Sequence, residues 1–333
     1  MQNKQVHTHF QEAHPLVTFV VTCYNLPVPM LCECLNSILA LPLSDDEREI
    51  IVVDDGSEVS PMNGLMQYGN HIIYVRQRNQ GVSVARNTAL RMARGQYIQF
   101  VDGDDHLLQA PYEHCLSLIR QHKDLDVVLF DFSKSETQEQ SVYHDTAIQA
   151  GSDFLRNNNI HGAVWCMLFR QTTRSKLLFT PGIEYGEDEE FTPQLLLRAE
   201  TLIQTDAKAY YYRPRTTSAV HQQDDERKQK RLDDTMEVII NLHKTADRLP
   251  QTDRLALQRR VAQLTMDYIY NTIVLTHSRQ ILNERLAVLR QEGLFPLPGR
   301  DYSRKYKWFR KMTNSSLGLT ILLNTLPLMK KER

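Results

Sequence analysis

The sequence predicts an α/β fold, a mostly parallel central sheet flanked by helices, followed by a C-terminal helical region. Three observations carry this. Apolar runs of strand length alternate with helix-spaced segments over about the first 130 residues, the pattern of βαβ units. Four of these strands run into polar clusters, as in open sheets that bind ligands at their carboxyl edge. Beyond Gln222 the apolar residues recur at helical spacing.

Leu16 to Cys23 (LVTFVVTC) is uninterrupted and apolar, which suits a strand covered on both faces. Pro27 and Pro29 then introduce a helix with Leu31, Cys34, Leu35, Ile38 and Leu39 at helical spacing. Glu49 to Val53 is a second strand, stopped by Asp54-Asp55-Gly56-Ser57, and His71 to Val75 is a third. Gly81 opens a helix carrying Val82, Ala85, Ala89 and Ala93 on one face, and Gly95 closes it. Tyr97 to Val101 is the fourth strand and Asp126 to Phe132 a fifth. From Ala150 to Arg215 the pattern is less regular. That stretch holds Trp165, the acidic cluster Glu184 to Glu190 and a tyrosine-rich strand at Ala209 to Tyr212. Met236, Ile239, Ile240 and Leu242 then form one helical stripe, and Leu264, Tyr268, Val274 and Leu275 belong to another long helix.

Composition bounds the function. The chain has 333 residues, 41% of them apolar and 24% charged, with a formal net charge of −1. That is an ordinary globular balance, and the missing basic excess argues against a nucleic-acid binder. Cys23, Cys32, Cys34, Cys115 and Cys166 show neither CxxC pairing nor disulfide density, and read as reduced thiols of a cytoplasmic protein. Met1 to His14 lacks the apolar stretch of a signal peptide, and no run reaches the roughly 20 apolar residues of a spanning helix. The tail differs from the rest. Between Tyr302 and Arg333 it carries eight Lys or Arg against Glu332 alone, around the apolar run Leu317 to Met329. Such a basic amphipathic segment suits peripheral contact with a membrane surface; the alternative is packing on the catalytic domain.

The chemistry concentrates at the strand ends. Gln99-Phe100-Val101 leads straight into Asp102-Gly103-Asp104-Asp105. Asp102 and Asp104, loosened from the pleat by Gly103, can converge on one divalent cation, which in turn can hold a diphosphate. The other clusters are Thr22-Cys23-Tyr24-Asn25, Asp54-Asp55-Gly56-Ser57, and Asn79-Gln80-Gly81 followed by Ala85-Arg86-Asn87. Asp-Asp-Gly-Ser alone is more often only a turn. Four polar clusters in order at one sheet edge read as a ligand-binding rim.

In that order the motifs closely resemble the family 2 glycosyltransferases, inverting enzymes of GT-A fold. Glu49-Ile50-Ile51-Val52-Val53-Asp54-Asp55-Gly56-Ser57 and the anchors from Asn79 to Asp105 carry the resemblance. Trp165 to Arg170 and Gly186-Glu187-Asp188-Glu189-Glu190-Phe191 extend it, so that it covers residues 16–218. Cys166-Met167, Pro214 and Thr216-Thr217 depart from the family text.

The resemblance implies an N-terminal extension at 1–14, a GT-A catalytic domain at 15–220, a helical region at 221–300 and a basic amphipathic tail at 301–333. It implies transfer of a sugar from a nucleoside-diphosphate donor, most simply UDP-linked, to a hydroxyl of a glycan or lipid-linked acceptor in surface or capsular polysaccharide synthesis. Asp104 would ligate Mn²⁺ or Mg²⁺, with Asp102 at metal or ribose and Asp105 structural. Asp55 would meet the nucleobase, supported by Asp54. Thr22, Tyr24 and Asn25 would form the first nucleotide loop, and Gly81 would admit the nucleotide close to backbone. Arg86 is expected at the nucleotide, with a salt-bridged helix residue as its equal alternative. Asp188 is the expected catalytic base, because a single displacement needs one carboxylate to take the acceptor proton. Arg213 and Arg215 suit diphosphate contact, and His221 could complete a metal shell. Trp165 reads as core before sugar platform.

Two rivals remain at this level. A nucleotidyltransferase also sets carboxylates at a sheet edge, but residues 22–29 lack its glycine-rich basic loop. A non-catalytic nucleotide-sugar binder would not need the Asp102, Asp104 and Asp188 set. A dehydrogenase is excluded because no GxGxxG follows the first strand.

Overall fold

A computed structural model describes residues 14–135, 142–214, 225–299 and 303–330. Eight strands form one mixed sheet: β1 (Val17–Cys23), β2 (Arg48–Asp54), β3 (Ile73–Arg76), β4 (Tyr97–Asp102), β5 (His106–Leu107), β6 (Val127–Ser133), β7 (Met167–Arg170) and β8 (Leu202–Tyr211). Their spatial order is β3-β2-β1-β4-β7-β6-β8-β5. The fold class read from the sequence is the one observed.

Two strands were not foreseen. β7 inserts antiparallel between β4 and β6, and β5 pairs antiparallel with β8. β7 is only four residues long and shows no alternation, so its apolar residues are indistinguishable from a buried loop by pattern alone. Because β7 is antiparallel to both neighbours, every other strand but β5 runs one way, and the carboxyl ends of β1, β2, β4 and β8 meet at one edge.

Both faces of the sheet are covered, which explains the unbroken apolar strands. Val17, Phe19 and Val21 point into one core with Leu31, Leu35 and Ile38 of the helix Val28–Leu39. Val20, one step along the pleat, points into the other with Ala85 and Ala89 of the helix Val82–Met92. Gly56 lets the β2 loop pass tightly under its neighbour: an added Cβ would stand 2.5 Å from the Asn79 backbone nitrogen. The five cysteines are free thiols.

The helices Asp225–Ala246, Gln251–Thr276 and Arg279–Gln291 share a separate apolar core. The tail forms two helices, Arg304–Thr313 and Ser316–Lys330, and both pack on Gln251–Thr276 rather than on the sheet. Phe309 and Leu322 enter that core, whereas Trp308 and Leu317 remain exposed. No helix among the described residues is long and apolar enough to cross a membrane.

This packing makes a prediction. Leu322→Ala should lower unfolding stability by about 2–5 kcal/mol, whereas Trp308→Ala should change it by no more than about 0.5 kcal/mol. Denaturant titration of the two variants reads the difference.

Candidate active site

The centre of the carboxyl edge is a buried guanidinium. Arg86 lies on the inner face of the helix Val82–Met92 and is 3% exposed. Its Nη2 donates to Asp102 Oδ1 at 3.1 Å. Its Nη1 donates to Glu187 Oε1 at 3.0 Å and to Asp188 Oδ1 at 2.6 Å. Phe179 and Phe100 flank the cation, 5.3 and 5.7 Å from ring centroid to Cζ. Of the two readings of Arg86 open in the sequence, the structure displays the salt-bridged one: the guanidinium is committed to three carboxylates and holds the site's acids together.

The same helix fixes the approach to Asp188. Asn87 clamps Phe179 by two backbone bonds of 2.8 and 2.9 Å, and Ser83 Oγ donates to Ile183 O. The chain then turns through Gly186 into the helix Glu187–Leu196. Asp188 is additionally held by the Val164 N–H, 3.2 Å from its Oδ2. Burial raises the Asp188 pKa, and Arg86 opposes that rise. Burial and the adjacent Asp188 push Glu187 up to about 8, again against Arg86.

The acidic loop after β4 is anchored from β8. The Asp102 N–H donates to the Tyr210 hydroxyl at 3.0 Å, and that hydroxyl donates to Asp105 Oδ2 at 2.9 Å. The Arg213 N–H donates to Asp105 Oδ1 at 2.8 Å. Asp105 is thus buried scaffold. The Arg213 side chain donates from Nε to the Asp104 carbonyl and from Nη2 to Glu33, so it braces the acidic loop in this structure. Arg215 and His221 lie outside the described residues. Trp165 is buried, stacked on Tyr210 at 4.4 Å between ring centroids and on Tyr212 at 5.7 Å, so it serves as core.

The first two loops interlock. Asp54 is fully buried; its Oδ1 accepts the Ser57 N–H and its Oδ2 the Tyr74 hydroxyl. Asp55 Oδ1 accepts from Gln77 Nε2 and the Gln80 N–H, and its Oδ2 accepts the Gly81 N–H at 2.8 Å. Gly81 has φ +86°, and an added Cβ would meet nothing within 4 Å, so conformation requires glycine while the space before it stays open. Asn25 N–H donates to Ser57 Oγ, and Asn25 Oδ1 accepts the Glu58 N–H, locking its loop to that of Asp55. Tyr24 is half exposed, available to stack on a ring. Thr22 accepts the Gly103 N–H on its carbonyl.

Asp102 and Asp104 offer hard oxygen donors at the open edge. Arg86 engages Oδ1 of Asp102, and a third convergent protein ligand is absent among the described residues. Two carboxylates fit a cation that completes its shell with diphosphate oxygens and water, as Mg²⁺ and Mn²⁺ do.

Residues 18–177 match the family model described as Glycosyl transferase family 2. The uncharacterized glycosyltransferase EpsJ of Bacillus subtilis is 32% identical over 220 residues, 61% of this chain and 62% of its own length. The match thus spans less than two thirds of the length of this and the other curated relatives compared. Staphylococcus aureus TarS 1–349 superposes with a TM-score of 0.59 at 19% identity, covering 95% of this chain and 91% of TarS 1–349. A TarS 1–349 complex with UDP-GlcNAc superposes at 0.52 and 19% identity, covering 83% and 88%. Mannosyltransferase PcManGT of Pyrobaculum calidifontis, solved with GDP-Man and Mn²⁺, superposes at 0.54 and 16% identity, covering 96% and 88%. These likenesses establish the GT-A-like fold.

Arg86→Met should strand three part-buried carboxylates and lower stability by about 3–5 kcal/mol at neutral pH. Without the cation their native pKa values rise further above the unfolded ones, so the native state binds more protons and stability falls as pH rises. The deficit against wild type should therefore be largest near pH 8 and shrink toward pH 5. Thermal unfolding across that range measures it; a deficit that grows in acid would contradict the arrangement.

Proposed function

We propose that the protein is an inverting glycosyltransferase that moves a sugar from a nucleoside-diphosphate donor, UDP-linked, to a hydroxyl of a glycan or lipid-linked acceptor in surface polysaccharide synthesis. The observation that supports this best is the joint hold of Arg86 on Asp102, beside the acidic loop, and on Asp188, at the head of a helix. It sets an acid pair for the leaving diphosphate against a single carboxylate suited to a base.

The donor lies, in this reading, along the open edge. The nucleobase meets Tyr24 and the Asp55 loop, the diphosphate runs past Gly81 toward Asp102 and Asp104, and the anomeric carbon faces Asp188. Asp55 reaches the base only by sharing oxygens already bonded to Gln80 and Gly81, so it shapes the loop as well as contacting the ligand. Mn²⁺ or Mg²⁺ held by Asp104 and Asp102 would neutralise charge on the departing diphosphate. Asp188 takes the acceptor hydroxyl proton as oxygen attacks the anomeric carbon from the opposite face. Arg86 keeps Asp188 anionic and oriented. The TarS complex with UDP-GlcNAc and the PcManGT complex with GDP-Man and Mn²⁺ support a nucleotide-sugar donor and a divalent ion.

A screen of nucleotide-sugar donors for chelator-sensitive release of nucleoside diphosphate identifies the donor. Asp188→Asn and Asp104→Asn should each lower transfer by about 10²-fold or more with the fold intact. Full activity in either variant removes that residue from its role.

The reading includes peripheral contact with an anionic membrane surface. Trp308 and Leu317 are 53% and 71% exposed, and Arg304, Lys305 and Lys311 stand exposed beside Trp308 on a helix without acids. Sedimentation with phosphatidylglycerol vesicles, and not with phosphatidylcholine vesicles, is expected. Trp308→Ala combined with Lys305→Glu and Lys311→Glu should abolish it.

A further inference from the structure

We infer that the cavity between the head of the Glu187–Leu196 helix and the two long helices Asp225–Ala246 and Gln251–Thr276 holds the terminal sugar of a neutral acceptor glycan. The inference rests on the glycosyltransferase reading and names the acceptor chemistry that the reading leaves open. The cavity measures about 360 Å³. Sites for small molecules begin at about 300 Å³.

Its position ties it to the chemistry. Tyr185, Glu187 and Glu189 form one wall; Arg231, Tyr268 and Asn271 form the other. Glu187 accepts from the same Arg86 Nη1 that holds Asp188, so the wall of the cavity and the candidate base share one donor nitrogen. Asp188 itself is not in the lining, but it is the next residue to Glu187 and shares that nitrogen with it.

The lining suits hydroxyl groups. Carboxylates accept hydrogen bonds, Arg231 donates, and Asn271 does both. The Tyr185 ring offers apolar surface for a sugar C–H face.

Charge selects the class of sugar. Glu184, Glu187, Glu189 and Asp267 line the cavity against Arg231 alone. Glu189 is paired with Arg260, and Glu187 shares Arg86 with Asp102 and Asp188. With Lys230, shared by Asp234 and Glu184, and Lys305 near Asp267, seven carboxylates answer to five cations. A polyol phosphate or a uronic acid would add an anion to a region already negative, so a neutral hexose or N-acetylhexosamine is the favoured occupant.

Saturation-transfer NMR on the full chain tests this with glucose, galactose, N-acetylglucosamine and glycerol 3-phosphate. At least one neutral sugar should bind with Kd on the order of 1 mM, more tightly than glycerol 3-phosphate. Asn271→Leu and Arg231→Ala should each weaken that binding by about tenfold, or about 1.4 kcal/mol, while circular dichroism and the unfolding midpoint confirm the fold. Three results overturn the inference: no neutral sugar binds, glycerol 3-phosphate binds better, or neither substitution matters. Donor turnover by wild type reports the underlying reading separately. Turnover without sugar binding discards the cavity and spares the enzyme; sugar binding sensitive to Asn271→Leu without turnover does the reverse.

Discussion

One buried cation organises this protein. Arg86 is placed by a helix that begins at Gly81, and its partners arrive from elsewhere: Asp102 from the end of β4, Glu187 and Asp188 from a helix about a hundred residues further along the chain. Burying a carboxylate without a counter-charge costs several kcal/mol, so these elements can approach only with the guanidinium between them. The constraint runs both ways. A lone buried arginine would be equally costly, and the aromatic rings of Phe100 and Phe179 leave it no path to water. The sheet edge and the Asp188 helix are therefore fastened to each other by charge as much as by the Phe100, Phe179 and Phe191 cluster around them.

The remaining acids divide in a regular way. In each strand-end pair one carboxylate is spent on the scaffold. Asp54 caps its own turn and ties Tyr74, and Asp105 joins Tyr210 to the Arg213 backbone. The partner in each pair faces the loops: Asp55 gathers Gln77, Gln80 and Gly81, and Asp104 stands at the edge with Asp102. A carboxylate that accepts several N–H donors stiffens a loop without a hydrophobic core, and such stiffness keeps a ligand-facing group in place before ligand arrives. Asn25, at φ +47°, accepts a left-handed conformation to lock the first loop to the second, a strain consistent with a functional edge.

Much of this was legible in the sequence because it is local. Unbroken apolar runs marked β1, β2 and β4, and helical spacing marked the existence of two long C-terminal helices. The four polar clusters were legible for the same reason, since each follows directly on its strand. What escaped was non-local. β7 is short, and its pairing is set by β4 and β6, which the sequence cannot place side by side. The role of Arg86 stayed open between ligand contact and salt bridge, because an arginine on a helix looks alike whether it faces a ligand or three carboxylates. Arg213 read as a ligand for diphosphate, yet the structure gives its donors to Glu33 and the Asp104 carbonyl. The tail showed its amphipathic character in the sequence, but its buried face belongs to Gln251–Thr276, a partner far away in the chain.

The shared nitrogen of Arg86 also bears on which carboxylate would serve as the proposed base. Three acids on one guanidinium leave excess negative charge in a low-dielectric setting, and the least expensive relief is for one acid to keep its proton. Asp188 has the shorter contact to Nη1, 2.6 Å against 3.0 Å for Glu187, and it alone of the two accepts the Val164 N–H. Both favour its ionised form. Glu187 has the weaker hold, and burial with the adjacent Asp188 pushes it up to about 8. Burial raises Asp188 above an exposed aspartate, while Arg86 and the Val164 N–H oppose that rise. Two neighbouring acids at the head of one helix are thereby held differently by a single arginine, and in the proposed mechanism the one it holds more closely accepts the proton.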